Sequence, residues 1–283
     1  MLKIITSVVN NPVFIEIQYY TLKKYMQCDY EFIVFNDAKD FPDYTNGYDV
    51  TIKQQITDLC EKLYIKCINI PNENHKKTII SSLRVTDAMN FILEYQKNNP
   101  NKYLLLDSDM FLIDYFDIKE YDNYKGAIVI QNRKNDTITY SWNGLYYFDF
   151  TKIKNQELMD WGCDDIEGCD TGGQMRFWLK TQETEFPTVD NIRKSEYNIF
   201  NKDTFYYIKH LWSCSWDESE YPENITIPNL LDLLKRDPRN KNGKFFCELY
   251  DKRFLHYRAG GNWNNEGMNF HNSFSLALKN ILL

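Results

Sequence analysis

No CxxC pair occurs in the chain, and its seven cysteines (28, 60, 67, 163, 169, 214 and 247) are odd in number. That excludes a zinc ribbon and a thioredoxin-type motif, and leaves free thiols in a reducing compartment as the simplest expectation. No apolar run reaches the roughly 18 residues that span a bilayer. The opening stretch from Met1 to Val9 is too short and too β-branched for a signal peptide, so the expected location is cytoplasmic and the sequons at Asn135 and Asn224 are read as chance. There is no cationic excess either: 33 Lys and Arg stand against 40 Asp and Glu, a net charge of −7. Nucleic acid and anionic membranes are therefore poor partners, and any phosphate must be held by local cations or a bound metal. Repeats, low-complexity blocks and Pro/Gly/Ser linkers are also missing. The expectation is one continuous domain over residues 1–283, with a ligand-binding half at 1–113 and an acceptor and C-terminal half at 114–283.

What is present is ordinary globular composition, 43% hydrophobic and 26% charged over 283 residues, which excludes wholesale disorder. A chain of this size builds its core without a disulfide or metal staple. Aromatic residues reach 16%, with 21 Tyr. The pattern predicts a strand at 3–9, a helix opened by Asn10-Asn11-Pro12 and running to about Met26, and strands at 30–35 and 65–70. A helical stripe (Ile80, Leu83, Ala88, Phe91, Ile92, Tyr95) over 78–98 precedes a strand at 103–106. This alternation predicts an α/β fold with a mostly parallel central sheet and helices on both faces, with ligands beyond the carboxyl ends of the strands. No GxGxxG follows the first strand, which disfavours a dinucleotide site. In the second half, strands at 127–131, 144–150, 205–212 and 253–257 suggest a smaller antiparallel element. Helices are expected at 171–180, with Asp170 as N-cap, at 228–235 and at 270–282. The apolar side of the last (Phe270, Phe274, Ala277, Leu278, Ile281, Leu282) is read as packing, with a membrane-surface or partner contact as the alternative.

Asp107-Ser108-Asp109 is a DxD placed between two apolar runs, Tyr103–Leu106 and Met110–Ile113. Two carboxylates at the end of a buried strand repel each other, and leaving them uncompensated is costly. A divalent cation relieves that repulsion, and oxygen ligands suit Mg²⁺ or Mn²⁺ with positions left open for substrate phosphates. A turn or helix cap made of two Asp is the plainer alternative.

The segment Tyr103–Phe111 resembles the metal-binding DxD segment of GT-A glycosyltransferases, which use nucleotide-sugar donors, and the opening strand-helix-strand resembles their nucleotide-binding half. The resemblance implies a GT-A (Rossmann-like) fold. It places Thr6, Ser7 and Val8 against base and ribose, Asp37 near the nucleobase, Ser108 at the donor, and Arg84 as a cation near the donor, with Asp87 on the same helical face. Asx-turn chemistry for Asp37 and a helix-paired side chain for Arg84 are the alternatives. A second match lies in Leu255-His256-Tyr257-Arg258-Ala259-Gly260-Gly261-Asn262-Trp263, similar to the late His-x-x-Gly…Trp segment of glycogenin-like enzymes. It implies His256 as third metal ligand, which tilts the metal toward Mn²⁺. It also sets the backbone of Gly260 and Gly261 against a pyrophosphate. The chain departs from that pattern: the Gly comes one residue late and the Lys before the Trp is missing, with Arg258 as a substitute charge. The resemblance further implies an acceptor-side turn at Ser141-Trp142-Asn143-Gly144, with Trp142 stacking on a sugar. It gives Asp170 a functional role before a helix that carries Gln174, while Asp164, Asp165 and Glu167 are read as solvated.

The implied activity is metal-dependent transfer of a sugar, first of all from a UDP-sugar, to a glycan, glycoprotein or other hydroxyl acceptor. In it Asp107, Asp109 and His256 hold the metal, Arg84 or Arg258 assists the leaving diphosphate, and Asp170 orients hydroxyls or acts as base. Two rivals stay open. A HAD-type phosphatase would use Asp107 as nucleophile, although Phe111 departs from that pattern. A non-catalytic relic of the same fold would bind the nucleotide sugar without turning it over.

Overall fold

A computed structural model describes residues 1–182, 187–194, 205–264 and 266–283. Strand β1 (Leu2–Val8) leads into helix α1 (Pro12–Tyr25), and β2 (Tyr30–Asn36) is followed by α2 (Ile52–Lys62) and β3 (Lys66–Asn69). Then come α3 (Ser81–Asn98), β4 (Lys102–Asp107), β5 (Met110–Leu112), α4 (Lys119–Asp122), β6 (Gly126–Arg133) and β7 (Ile138–Asp149). The remainder is α5 (Met175–Leu179), α6 (Val189–Lys194), β8 (Phe205–Tyr207), β9 (His210–Leu211), α7 (Leu230–Lys235), β10 (Glu248–Tyr250), β11 (Phe254–His256) and α8 (Met268–Leu282). The start of α1 follows its sequence signals. Asn11 caps it by accepting the Val13 N–H at 3.1 Å, and Pro12 occupies the first turn where no N–H is needed.

Seven strands hydrogen-bond in the order β3-β2-β1-β4-β7-β6-β8, a mixed and mostly parallel sheet. Pairs β2–β3 and β6–β8 are parallel, and β6–β7 is antiparallel. A second, antiparallel sheet runs β5-β11-β10-β9. This agrees with the expected α/β class, mostly parallel sheet and smaller antiparallel element.

Three local expectations are corrected. The acceptor-side turn at 141–144 is instead part of the continuous strand β7. Its residues Trp142–Leu145 bulge out where the register against β6 jumps from Ile130↔Ser141 to Ile128↔Tyr146. The helix expected from Thr171 begins only at Met175, with Gln174 in the cap position, so Asp170 is not its N-cap. Gly172, at φ +97°, brings its backbone so near the Ser141 carbonyl that a Cβ there would lie 2.3 Å from the oxygen; that turn interrupts the helix. The strand expected at 205–212 is two short strands, β8 and β9. Helix α2, not anticipated, buries only the narrow stripe Ile52, Ile56 and Cys60, and its other residues are polar apart from the half-buried Leu59.

Contacts divide the chain into two compact units. One comprises Met1–Ile5, Ile70–Leu105 and Ile118–Lys209. Much of its core is aromatic: Tyr146 stacks on Trp161 at 5.0 Å, and Phe148 meets Trp178 edge-on at 5.4 Å. The other comprises Thr6–Asn69, Leu106–Asp117 and His210–Leu283. There Phe14, Phe111, Leu249, Leu255, Tyr257 and Trp216 form one cluster with Phe274, Leu278 and Leu282 of α8. Ser275 accepts from Asn11 at 3.1 Å and Lys279 pairs with Glu16, fixing α8 to the start of α1. The apolar stripe of α8 is therefore core. Among the described residues no helix is long and apolar enough to cross a membrane.

Candidate metal centre

The residues of β4 from Tyr103 to Leu106 are buried, so the strand carries Asp107 to its carboxyl end and the chain then turns through Ser108 and Asp109 into β5. Two hydrogen bonds shape that turn. The Ser108 N–H donates to Asp107 Oδ1 at 2.8 Å. From α1, the buried Gln18 amide donates through Nε2 to the carbonyls of Asp107 (2.8 Å) and Met110 (3.0 Å), closing the loop like a clip. Replacing Gln18 with Ala leaves two carbonyls without their donor and is expected to cost about 1–3 kcal/mol of stability, read by urea denaturation.

The small antiparallel sheet supplies the rest of the site through strand alternation. Leu249 and Leu255 point into the apolar cluster, as does Phe111 of β5. Their neighbours Glu248, Tyr250 and His256 therefore share the opposite face. Glu248 and His256 are directly paired across β10 and β11, and His256 is paired with Met110 of β5, next to Asp109. The Tyr257 N–H donates to the Asp109 carbonyl at 2.9 Å and extends this ladder.

The result is a compact group of ionisable side chains. His256 Nε2 lies 3.1 Å from Asp109 Oδ1 and 3.8 Å from Asp107 Oδ2. His256 Nδ1 lies 2.9 Å from Glu248 Oε2. One ligand atom from each of Asp107, Asp109 and His256 falls within 4.8 Å of the others, a spacing that can hold a divalent ion. Gly260 donates its N–H to Asp109 Oδ2 at 2.7 Å. A side chain at 260 would collide with the Phe14 ring at 2.6 Å, so glycine is what lets the backbone reach the carboxylate.

The electrostatics fit a cation. Partial burial and the charge of Asp109 push Asp107 up to about 6. Burial works in the same direction on Asp109, but the charge and hydrogen bond of His256 and the Gly260 N–H hold it below the ordinary carboxylate value. Burial opposes a charge on His256, yet Asp109 and Glu248 on either side raise it to about 10. Glu248, despite burial, is held at about 2 by His256, Arg258 and Tyr250. The charge on Asp107 is the one without a sufficient partner, and its side chain, 38% exposed, is the open side of the group.

Several other predicted residues come to the same place. The Asp37 N–H donates to the Val8 carbonyl at 2.9 Å, and Asn10, just after β1, donates to the Gly261 carbonyl at 2.8 Å. The chain ends after β1 and β2 and the segment at 260–261 are thus tied together. Asp37 pairs with Lys39 at 3.0 Å, both buried. Thr6 is wholly buried, its hydroxyl without a hydrogen-bond partner among the described residues, Ser7 is half-buried and Ser108 is buried. Arg258 is half-exposed, donates to Ser213 Oγ at 3.0 Å and stands 3.6 Å from Glu248.

The remaining candidates belong to the other unit. Arg84 is buried and donates to the carbonyls of Thr78 (2.7 Å) and His75 (2.6 Å), tying down the segment before α3, while Asp87 faces His75 at 3.5 Å. Trp142, half-buried, lies over Gly144 within the β7 bulge, beside half-buried Asn143. Gln174 donates to the Cys163 carbonyl at 3.0 Å, and the exposed Asp170 accepts the Thr171 N–H at 2.8 Å. Asp164, read as solvated, is buried against Arg176. None of the seven cysteines forms a disulfide.

Sequence reading missed Gln18 and Glu248. The signal for Glu248 was the alternation Glu248-Leu-Tyr250 and Phe254-Leu-His256 on either side of a tight turn, where Asp251 and Lys252 are both left-handed. Compared with protein-family models and with curated proteins, the chain matches none.

Proposed function

We propose that the protein is a metal-dependent glycosyltransferase of the GT-A type, moving a sugar from a nucleoside-diphosphate sugar to a hydroxyl acceptor. One observation carries the reading: Asp107, Asp109 and His256, drawn from segments about 150 residues apart in sequence, converge within 4.8 Å beyond the end of a sheet strand. Two oxygens and an imidazole suit Mn²⁺ above Mg²⁺, since nitrogen is the softer donor. Bound there, the ion would supply Lewis-acid stabilisation of the diphosphate as the bond from the sugar C1 to its oxygen breaks. Asp109 would be oriented for this by His256 and Gly260, and Asp107, half-open, would face the donor side. Arg258, whose side chain is half-exposed, would add charge stabilisation to the departing phosphates. The buried pair Asp37–Lys39 and the chain ends after β1 and β2 would form the nucleoside wall.

The reading is tested with purified protein, Mn²⁺ and a panel of UDP-, GDP- and other nucleotide sugars, following nucleoside diphosphate release. Metal-dependent release from one donor class, abolished by EDTA, is the expected result. Release of inorganic phosphate from phosphomonoesters instead would support a phosphatase using Asp107. Donor binding without turnover would support a binding protein.

A further inference from the structure

We propose that Glu248 is a positioning residue that orients His256 toward the metal, an inference that rests on the metal site proposed above. A ligating imidazole must present one nitrogen with a free electron pair, and which nitrogen does so is set by what the other one donates to. Here the two nitrogens face opposite ways. Nε2 faces Asp109 and Asp107 at 3.1 and 3.8 Å, while Nδ1 faces Glu248 Oε2 at 2.9 Å. A carboxylate accepts and does not donate, so Glu248 keeps a proton on Nδ1, and the proton that an ion displaces is the one on Nε2, which faces Asp109.

Glu248 is itself held in place. Oε2 also accepts the Tyr250 hydroxyl at 2.8 Å. Oε1 accepts the Ser213 N–H at 3.3 Å and lies 3.6 Å from Arg258 Nε. A buried carboxylate with donors on both oxygens and a strand pairing directly opposite His256 has little freedom to move. The same carboxylate lies 3.6 Å from Arg258 Nε, so it faces both His256 and the cation proposed for the phosphates.

The test uses full-length protein and Mn²⁺ affinity by electron paramagnetic resonance, with Zn²⁺ as a diamagnetic probe for ¹⁵N spectra of the His256 ring. Glu248→Gln keeps shape and an accepting oxygen but loses the charge, and should weaken Mn²⁺ binding about 10-fold with the Nδ1–H form retained; Glu248→Leu should weaken it about 100-fold and release the tautomer. Tyr250→Phe, which removes only one support of the carboxylate, should give a smaller loss than Glu248→Gln. Wild-type affinity in Glu248→Gln, or a metal-loaded wild type whose ring carries its proton on Nε2, overturns the inference. Glu248→Gln decides alone should the leucine variant not fold. Failure of the wild type to take up Mn²⁺ is a different result, and removes the metal site itself.

Discussion

Asparagine in place of Asp107 and in place of Asp109 should have the same effect on metal binding and opposite effects on the stability of the metal-free protein. Under the proposed function either change removes a carboxylate ligand, and transfer should fall by about 10²–10³-fold. Asp109 is a satisfied charge: buried, hydrogen-bonded to His256 and Gly260, and stabilised in its ionised form. Asp109→Asn breaks a buried ion pair and leaves His256 with one anionic partner fewer, for which about 3–5 kcal/mol is the usual cost. Asp107 is the reverse case. Its value is raised to about 6, so above that pH folding has to ionise a group that resists ionisation. Asp107→Asn should therefore raise the melting temperature of the metal-free protein near pH 8 while abolishing its response to Mn²⁺. Differential scanning calorimetry of both variants, with and without metal, checks this. A metal-free Asp107→Asn protein less stable than wild type at that pH would show that Asp107 has a structural role.

The second large effect is on pH dependence. His256 has a folded value near 10 against 6.5 for the free side chain. Its contribution to the stability of the metal-free protein is thus complete below about pH 6.5 and fades as pH rises toward 10. Metal binding runs the other way, because an ion must displace the Nε2 proton. Affinity for Mn²⁺ should rise about tenfold per pH unit above pH 6, with about one proton released per ion, and fall more steeply below it, where Asp107 also takes up a proton. Calorimetric titration in buffers of different ionisation enthalpy counts the protons. A flat affinity between about pH 6.5 and 8.5 would mean that the ion does not use His256. At the acid end, Glu248 has a folded value near 2 against 4.5, so its contribution is present above about pH 4.5 and lost as pH falls toward 2.

Much of this site was legible in the sequence because it lies where strong local signals end. The apolar run before Asp107 predicts a buried strand, and a buried strand ending in two carboxylates demands compensation. His256 was legible only through the resemblance of the segment Leu255 to Trp263 to a late His-x-x-Gly…Trp pattern, and the structure brings it to Asp109. What was not legible depends on pairing between distant segments. Glu248 sits on a three-residue strand whose alternation hints at a hairpin but not at a partner, and its role appears only once Glu248↔His256 is a pair. Gln18 reads as one polar residue on a helix, and only the position of α1 against the turn after Asp107 makes it a clip. Arg84 was placed near the donor by the resemblance alone; in the fold its Nε and Nη2 donate to the carbonyls of Thr78 and His75, contacts that no local pattern announces. The turn expected around Asn143-Gly144 failed because a strand can carry a wide bulge without ending.

Diffraction data collected at the manganese absorption edge, from crystals grown with Mn²⁺ and a nucleoside diphosphate, probe the proposal without any assay. An anomalous peak coordinated by Asp107, Asp109 and the Nε2 of His256, with diphosphate oxygens completing its shell, is the result this account requires. An ordered nucleotide with no anomalous signal beside those three side chains, or manganese bound elsewhere on the chain, would contradict it.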